Sequence, residues 1–131
     1  MATSDGDRTE PATGAGDLPD GLLERTAAPG EAIVRQGEPA DRFYVILAGE
    51  CEVVRDRGGG RQVLARLGPG SFFGETGLLA GVPRSATVVA VDEVRLVGLG
   101  RAEYRAALGG ATRTSEELAR RIYAGYGGAP Q

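Results

Sequence analysis

Short apolar runs separated by glycine and proline turns place the tightest constraint on how this chain folds. Residues 51–55 and 61–67 lie on either side of Gly58-Gly59-Gly60, which predicts an antiparallel hairpin. The other strand-like runs cover residues 31–35, 43–47, 86–91 and 94–99. Many short strands at this spacing predict a mainly β fold, arranged as a sandwich, a roll or a barrel.

The end of the chain is predicted to be helical. Residues 101–108 are long enough for two turns, and Gly109-Gly110 then stops the helix. A second helix over residues 115–126 carries Leu118, Ile122 and Tyr126 at a spacing of four, which gives one apolar stripe. This stripe needs a partner, and either the β-sheet or a second copy of the helix satisfies that need.

Composition excludes several classes of protein. The chain has 131 residues, no His, one Cys and a net charge of −3, and all fifteen basic residues are Arg. Without His or Lys, triad catalysis, imidazole-ligated metals and lysine chemistry are excluded, so we expect neither an enzyme nor a metal or cofactor. The negative charge argues against nucleic acid and anionic membranes as partners. Cys51 falls in a strand-like run and is predicted to be a buried, inert thiol.

The two ends of the chain differ in composition from its middle. Residues 1–20 are acidic and poor in large apolar side chains, which predicts a disordered tail. This tail has neither the basic start nor the apolar run of a secretory signal, so a cytoplasmic protein is expected. We therefore predict one folded domain over residues 21–126 and a disordered end over residues 127–131.

Residues 72–87 contain the chain's most specific chemistry. Glu75 and Arg84 are nine positions apart, and Gly74 precedes a predicted helical turn over residues 77–80. Arg84 offers a planar pair of donors that suits two phosphate oxygens, Ser85 adds a hydroxyl, and Glu75 is suited to accept a hydrogen bond from a sugar hydroxyl. A 3′,5′-cyclic nucleotide has one phosphate charge and one free ribose hydroxyl. Taken alone, a Glu and an Arg at this spacing around a glycine-rich turn are more often an exposed ion pair beside a loop.

The residue types themselves resemble a known motif. Gly74-Glu75-Thr76-Gly77-Leu78-Leu79, followed by Pro83-Arg84-Ser85-Ala86-Thr87, resembles the phosphate-binding cassette of cyclic nucleotide-binding domains. A second match lies upstream, in Gly37-Glu38, Ala40-Asp41 and the run from Phe43 to Glu50. The resemblance covers residues 29–108. It implies an eight-stranded antiparallel β-roll, similar to a jelly roll, with a short cassette helix, flanking C-terminal helices and a short helical lead-in within residues 21–28.

The resemblance also implies roles for individual residues. Glu75 would bind the ribose 2′-hydroxyl, and Arg84 would bind the exocyclic phosphate oxygens. Backbone N–H groups at Gly74 to Thr76 and at Ala86 would complete the anion site, beside Ser85. A further set is assigned either to the base pocket and its lid or to ordinary packing, and consists of Val53, Leu64 and Tyr123. Arg55 at the hairpin tip is interpreted as a solvated side chain.

The implied function is that of a cytoplasmic sensor. The ligand would be cAMP or cGMP, with cAMP as the first candidate, and the output would pass through a protein effector or through self-association by the C-terminal helix. The alternative is an interaction module that keeps the fold and binds no nucleotide. Thr76 departs from the family pattern, in which a large aliphatic residue is usual at this position.

Overall fold

In a computed structural model, residues 18–110 and 112–127 of the chain are described. Eight strands and three helices lie within these two ranges. The strands are β1 (Leu23–Ala27), β2 (Ala32–Val34), β3 (Arg42–Ala48), β4 (Cys51–Arg57), β5 (Gly60–Leu67), β6 (Phe72–Phe73), β7 (Thr87–Ala90) and β8 (Val94–Gly100). The helices are α1 (Glu75–Ala80), α2 (Arg101–Ala107) and α3 (Ser115–Gly125).

The strands form two four-stranded sheets in which the neighbouring strands run antiparallel. The first sheet has the order β1-β8-β3-β6, and the second has the order β2-β7-β4-β5. The predicted hairpin is β4 and β5, whose register pairs Arg57 with Gly60 at the turn. This pair of sheets confirms the β-roll architecture expected from the sequence.

Side chains on β3 show why its sequence is apolar without interruption. Tyr44 and Ile46 point into the core between the two sheets, whereas Phe43 and Val45 point to the opposite face, which the helices cover. Successive residues of a strand face opposite sides, so a strand that is covered on both faces is apolar at every position. The first sheet is therefore the middle layer of the domain.

The segment before the roll differs from its prediction. A helical lead-in was expected within residues 21–28, but residues 23–27 form β1, which pairs with β8 at the edge of the first sheet. Ala27 is the one fully buried side chain of β1, and Leu23 remains 52% exposed. Backbone pairing to β8 therefore holds this strand, and its side chains carry little of the alternating pattern that predicts a strand.

The predicted tail and end lie largely outside the described residues, which omit residues 1–17 and 128–131. Leu18 is described, and it packs beside Gly125 of α3, where an added Cβ would lie 2.5 Å from a Leu18 methyl carbon. Residues assigned to the tail from composition therefore include one side chain that packs on the domain.

Helix α3 is fixed at its start and along one face. Thr114 accepts a hydrogen bond from the Glu117 N–H, and the Glu117 side chain accepts one from the Thr114 N–H, which forms a capping box. Leu118 and Ile122 are fully buried against the first sheet of the same chain. The predicted stripe therefore finds its partner within the domain. No helix in the described part of the chain is long and apolar enough to span a bilayer.

Candidate functional site

Gly74 fixes the entry to the candidate site. Its backbone is in the left-handed region, at φ 100°, and it lies between β6 and the first residue of α1. A Cβ at this position would lie 2.6 Å from the Arg42 carbonyl oxygen and 2.7 Å from Nη1 of Arg84. Glycine is therefore required here both by backbone conformation and by the close approach of Arg84. The helix begins at Glu75, two residues before the single turn predicted from the sequence.

Arg84 is a buried cation whose strongest contacts are backbone carbonyls. Only 7% of the residue is exposed. Its Nη2 donates to the Arg42 carbonyl at 3.0 Å, and its Nη1 donates to the Gly74 carbonyl at 3.4 Å. Oδ1 of Asp41 lies 3.5 Å from Nη2 of Arg84, but the Asp41 side chain is 77% exposed. Carbonyls satisfy donors without neutralising charge, so the neutralisation of Arg84 falls to the largely exposed Asp41 and to the nearby Glu38.

Burial also affects the pKa of Arg84. Burial lowers the pKa of the guanidinium below its usual value, and the nearby carboxylate of Asp41 opposes that shift only in part. Because the net direction is downward, the loss of hydration outweighs the attraction of Asp41. A further anion beside Arg84 would favour the charged form of the guanidinium and oppose this shift.

A pocket of about 160 Å³ lies beside Arg84. The structure brings six of the residues predicted from the sequence together in its wall, namely Val53, Gly74, Thr76, Arg84, Ser85 and Ala86. The rest of the wall was given no binding role from the sequence, although Gly77 and Pro83 belong to the quoted motif, and it consists of Val34, Phe73, Gly77, Val82, Pro83 and Val88. Phe73 and Val88 also belong to the core between the sheets, so their apolar character gave no signal specific to the pocket.

Three predicted residues lie outside this wall. Glu75 is the half-buried first residue of α1, and no hydrogen bond or ion pair is described for its side chain. Leu64 is 41% exposed on β5, the strand that pairs with Val53. Tyr123 packs with the helical cluster, and its ring would lie 3.8 Å from a Cβ at Gly70. In this conformation Tyr123 therefore packs against the turn before β6.

Two further residues contact the cassette without having been assigned a role from the sequence. Asp41 was quoted as part of the upstream motif, and it is the acidic neighbour of Arg84. Arg55 was interpreted as solvated, but its Nε donates to the Ser85 carbonyl at 3.1 Å. Both contacts join residues that are 30 or more positions apart, and no local pattern indicates such pairs.

Other chemistry is sparse in the described part of the chain. Cys51 is fully buried, and burial, with a smaller effect of Asp92, raises the pKa of its thiol to about 11. This confirms the buried, inert thiol expected from the sequence. Within residues 18–110 and 112–127 no group of three or more His, Cys, Asp or Glu side chains is placed to hold a metal ion.

Known proteins share the segment that contains the cassette. The sequence model of the cyclic nucleotide-binding domain matches residues 24–109. The cAMP-dependent protein kinase regulatory subunit of Debaryomyces hansenii is 40% identical over 92 residues, which cover 70% of this chain and 20% of that protein. The chain therefore spans about a fifth of the length of that relative.

Solved structures give the same picture of the fold. The regulatory domain of Toxoplasma gondii PKA, crystallised with cAMP, is 31% identical with a TM-score of 0.65, over 70% of this chain and 35% of that one. The Thermus thermophilus catabolite activator protein is 31% identical with a TM-score of 0.66, over 85% of this chain and 49% of that one. The resemblance to cyclic nucleotide-binding domains predicted from the sequence is thereby confirmed.

Proposed function

The chain belongs to the cyclic nucleotide-binding domain family, and we propose that it binds a 3′,5′-cyclic nucleotide, with cAMP as the first candidate. The observation that carries this proposal is the buried guanidinium of Arg84 in the wall of the pocket, whose one described ion-pair partner, Asp41, is largely exposed to solvent. A cyclic phosphate diester supplies one negative charge and two exocyclic oxygens. Charge-assisted hydrogen bonds from a planar guanidinium suit such a group.

The ribose phosphate is assigned to the pocket itself. Ser85 and Ala86 lie beside Arg84 in its wall and would face the phosphate with their N–H groups. Glu75 directly follows Gly74 and would accept a hydrogen bond from the ribose 2′-hydroxyl. Its side chain is half-buried outside the wall, so this contact requires α1 to shift toward the ligand.

The base is assigned to the side of the pocket formed by Val53. A volume of about 160 Å³ is smaller than the ~300–1,000 Å³ of pockets that enclose a whole drug-sized ligand. The base would therefore extend beyond the wall, toward the exposed Leu64 on the neighbouring strand. Tyr123 would reach the base only if α3 moved away from the turn at Gly70.

The support for cAMP comes from relatives. The Debaryomyces hansenii relative is a cAMP-dependent protein kinase regulatory subunit, and the Toxoplasma gondii structure holds cAMP. Ser85 is compatible with cGMP as well, because its hydroxyl is able to serve either a phosphate or a guanine amino group. We therefore expect the protein's preference between cAMP and cGMP to be a difference in affinity.

The output is proposed to be regulatory and not catalytic. The ligand would shift the equilibrium between arrangements of α1 and the C-terminal helices, by as much as its affinities for them differ. A cytoplasmic protein effector is the proposed reader of this change. Self-association through α3 would first require its apolar stripe, which packs on the first sheet, to be released.

A second candidate function is an interaction module that binds no nucleotide. The small pocket volume and the position of Glu75 outside the wall favour it. In that case Arg84 would serve to hold the carbonyls of Arg42 and Gly74 in place. The two candidates differ in whether the pocket accepts an anionic ligand at all.

Calorimetric titration of the purified protein separates the two candidates. We expect saturable binding of cAMP or cGMP, and much weaker binding of 5′-AMP, because its phosphate carries an additional charge and lacks the ring. Adenosine serves as the matched ligand without a phosphate. Absence of heat and of any thermal shift with both cyclic nucleotides would overturn the proposal and favour the interaction module.

A further inference from the structure

Arg55 reaches from the hairpin to the cassette. It lies near the end of β4, and its Nε donates a hydrogen bond to the Ser85 carbonyl oxygen, 30 residues along the chain, at 3.1 Å. We propose that Arg55 is a positioning residue, which holds the peptide between Ser85 and Ala86 so that the Ala86 N–H is presented to a bound phosphate. This inference rests on the proposed function, because it concerns how the same pocket receives its anion.

The trans geometry of the peptide between Ser85 and Ala86 determines where its N–H points. In a trans peptide the C=O and the N–H point in opposite directions, and the described chain has no cis peptide bond. Because Arg55 holds the Ser85 carbonyl on one side, the Ala86 N–H of the same peptide is directed to the other side. Rotation of this peptide would break the contact with Arg55.

The preceding peptide is held in the same way. The Gly37 N–H donates to the Arg84 carbonyl at 2.8 Å, so the Ser85 N–H of that peptide faces away from Gly37. Ser85 and Ala86 both line the pocket beside the Arg84 side chain. Two successive N–H groups whose carbonyls are tied elsewhere form a concave site that suits an anion.

The backbone from which Arg55 extends is itself tied to the cassette region. The Asp56 N–H donates to Oε1 of Gln36 at 2.9 Å, and the Gln36 N–H donates to Oγ1 of Thr87 at 2.9 Å. Thr87 directly follows the peptide that Arg55 holds. Since both ends of the contact start from fixed backbone, less conformational freedom is lost when it forms.

Arg55 and Arg84 therefore have different roles. Arg84 lines the pocket and would touch the phosphate, whereas Arg55 is absent from the wall and acts through the peptide. A cation on the Ser85 carbonyl also polarises that peptide, which strengthens the Ala86 N–H as a donor.

The test compares Arg55→Leu with Arg57→Leu. Both variants remove one positive charge from β4, and no contact between Arg57 and the cassette is described, so Arg57→Leu is the matched control for charge alone. We expect Arg55→Leu to weaken cAMP binding by roughly threefold to thirtyfold. This range corresponds to the free energy of a hydrogen bond from a charged group, reduced because the contact is partly exposed to solvent. Arg57→Leu should change it by less than about twofold.

A second readout needs no ligand. In ligand-free protein, the amide resonance of Ala86 in a ¹⁵N–¹H spectrum should shift in Arg55→Leu and remain in place in Arg57→Leu. Equal losses of affinity in the two variants, or an Ala86 resonance that does not move in Arg55→Leu, would overturn the positioning role. Failure of the wild-type protein to bind cyclic nucleotides would instead refute the proposed function, and the Ala86 resonance would still test the contact.

Discussion

Replacing Arg84 by methionine separates the role of its charge from the role of its bulk. Methionine is unbranched and of similar length, so it fills much of the space that the aliphatic part of Arg84 occupies. The guanidinium contacts with the Arg42 and Gly74 carbonyls are lost together with the charge. We expect a large loss of ligand affinity and a small change in the stability of the ligand-free protein.

The size of the affinity loss follows from burial. Truncating one partner of a buried, hydrogen-bonded charge pair costs about 2–5 kcal/mol, which corresponds to a dissociation constant roughly 30 to 4,000 times higher.

In the ligand-free protein two effects of the substitution on stability oppose each other. Each carbonyl left without a donor costs about 1–3 kcal/mol, whereas removing a poorly neutralised buried charge returns several kcal/mol.

A thermal melt with and without cAMP measures both quantities. At a ligand concentration 100 times the wild-type dissociation constant, binding stabilises the wild-type protein by about 2.7 kcal/mol. With a thirtyfold weaker dissociation constant the same concentration stabilises Arg84→Met by less than about 1 kcal/mol. Arg57→Met is the matched control, because Arg57 is exposed on β4. An Arg84→Met protein that cAMP stabilises as much as it does the wild type would refute the reasoning.

Three further predictions concern the cassette and the core. Glu75→Gln should weaken binding of cAMP but barely change binding of its 2′-deoxy analogue, and equal losses in calorimetry would contradict the 2′-hydroxyl role. Gly74→Ala should lower the melting temperature more than Gly81→Ala, because both have positive φ but only Gly74 would also bring a Cβ against backbone. Since burial raises the pKa of Cys51 to about 11, its contribution to stability is present below pH 9 and lost as the pH rises through 11. Denaturant titrations should show this loss, of about 2–3 kcal/mol, in the wild type and not in Cys51→Ala.

The sequence predicted the strands that have an apolar run or that flank a marked turn. The run at residues 43–47 is apolar at every position because both faces of β3 are covered, and the glycines at residues 58–60 mark a real hairpin turn. By contrast, β1 is held by backbone pairing at a sheet edge, and β6 is two residues long. Neither leaves a periodic pattern that sequence inspection detects.

Some residues of the candidate site were predictable from a local motif, and others were not. Gly74, Arg84 and Ser85 belong to a local motif, and the structure brings them into one wall. Arg55 and Asp41 reach the cassette through the tertiary fold, so they stand out only once the distant strands are in place. The position of Glu75 outside the wall was also not predictable from the sequence, because it depends on how α1 lies against the sheet.

A crystal structure of the protein grown with cAMP would show whether Arg84 binds the phosphate. If Arg84 binds the phosphate, the exocyclic phosphate oxygens should lie about 2.7–2.9 Å from its guanidinium, with the ribose beside Gly74 and Glu75. A phosphate bound away from Arg84, or a pocket that stays empty at saturating cAMP, would contradict it.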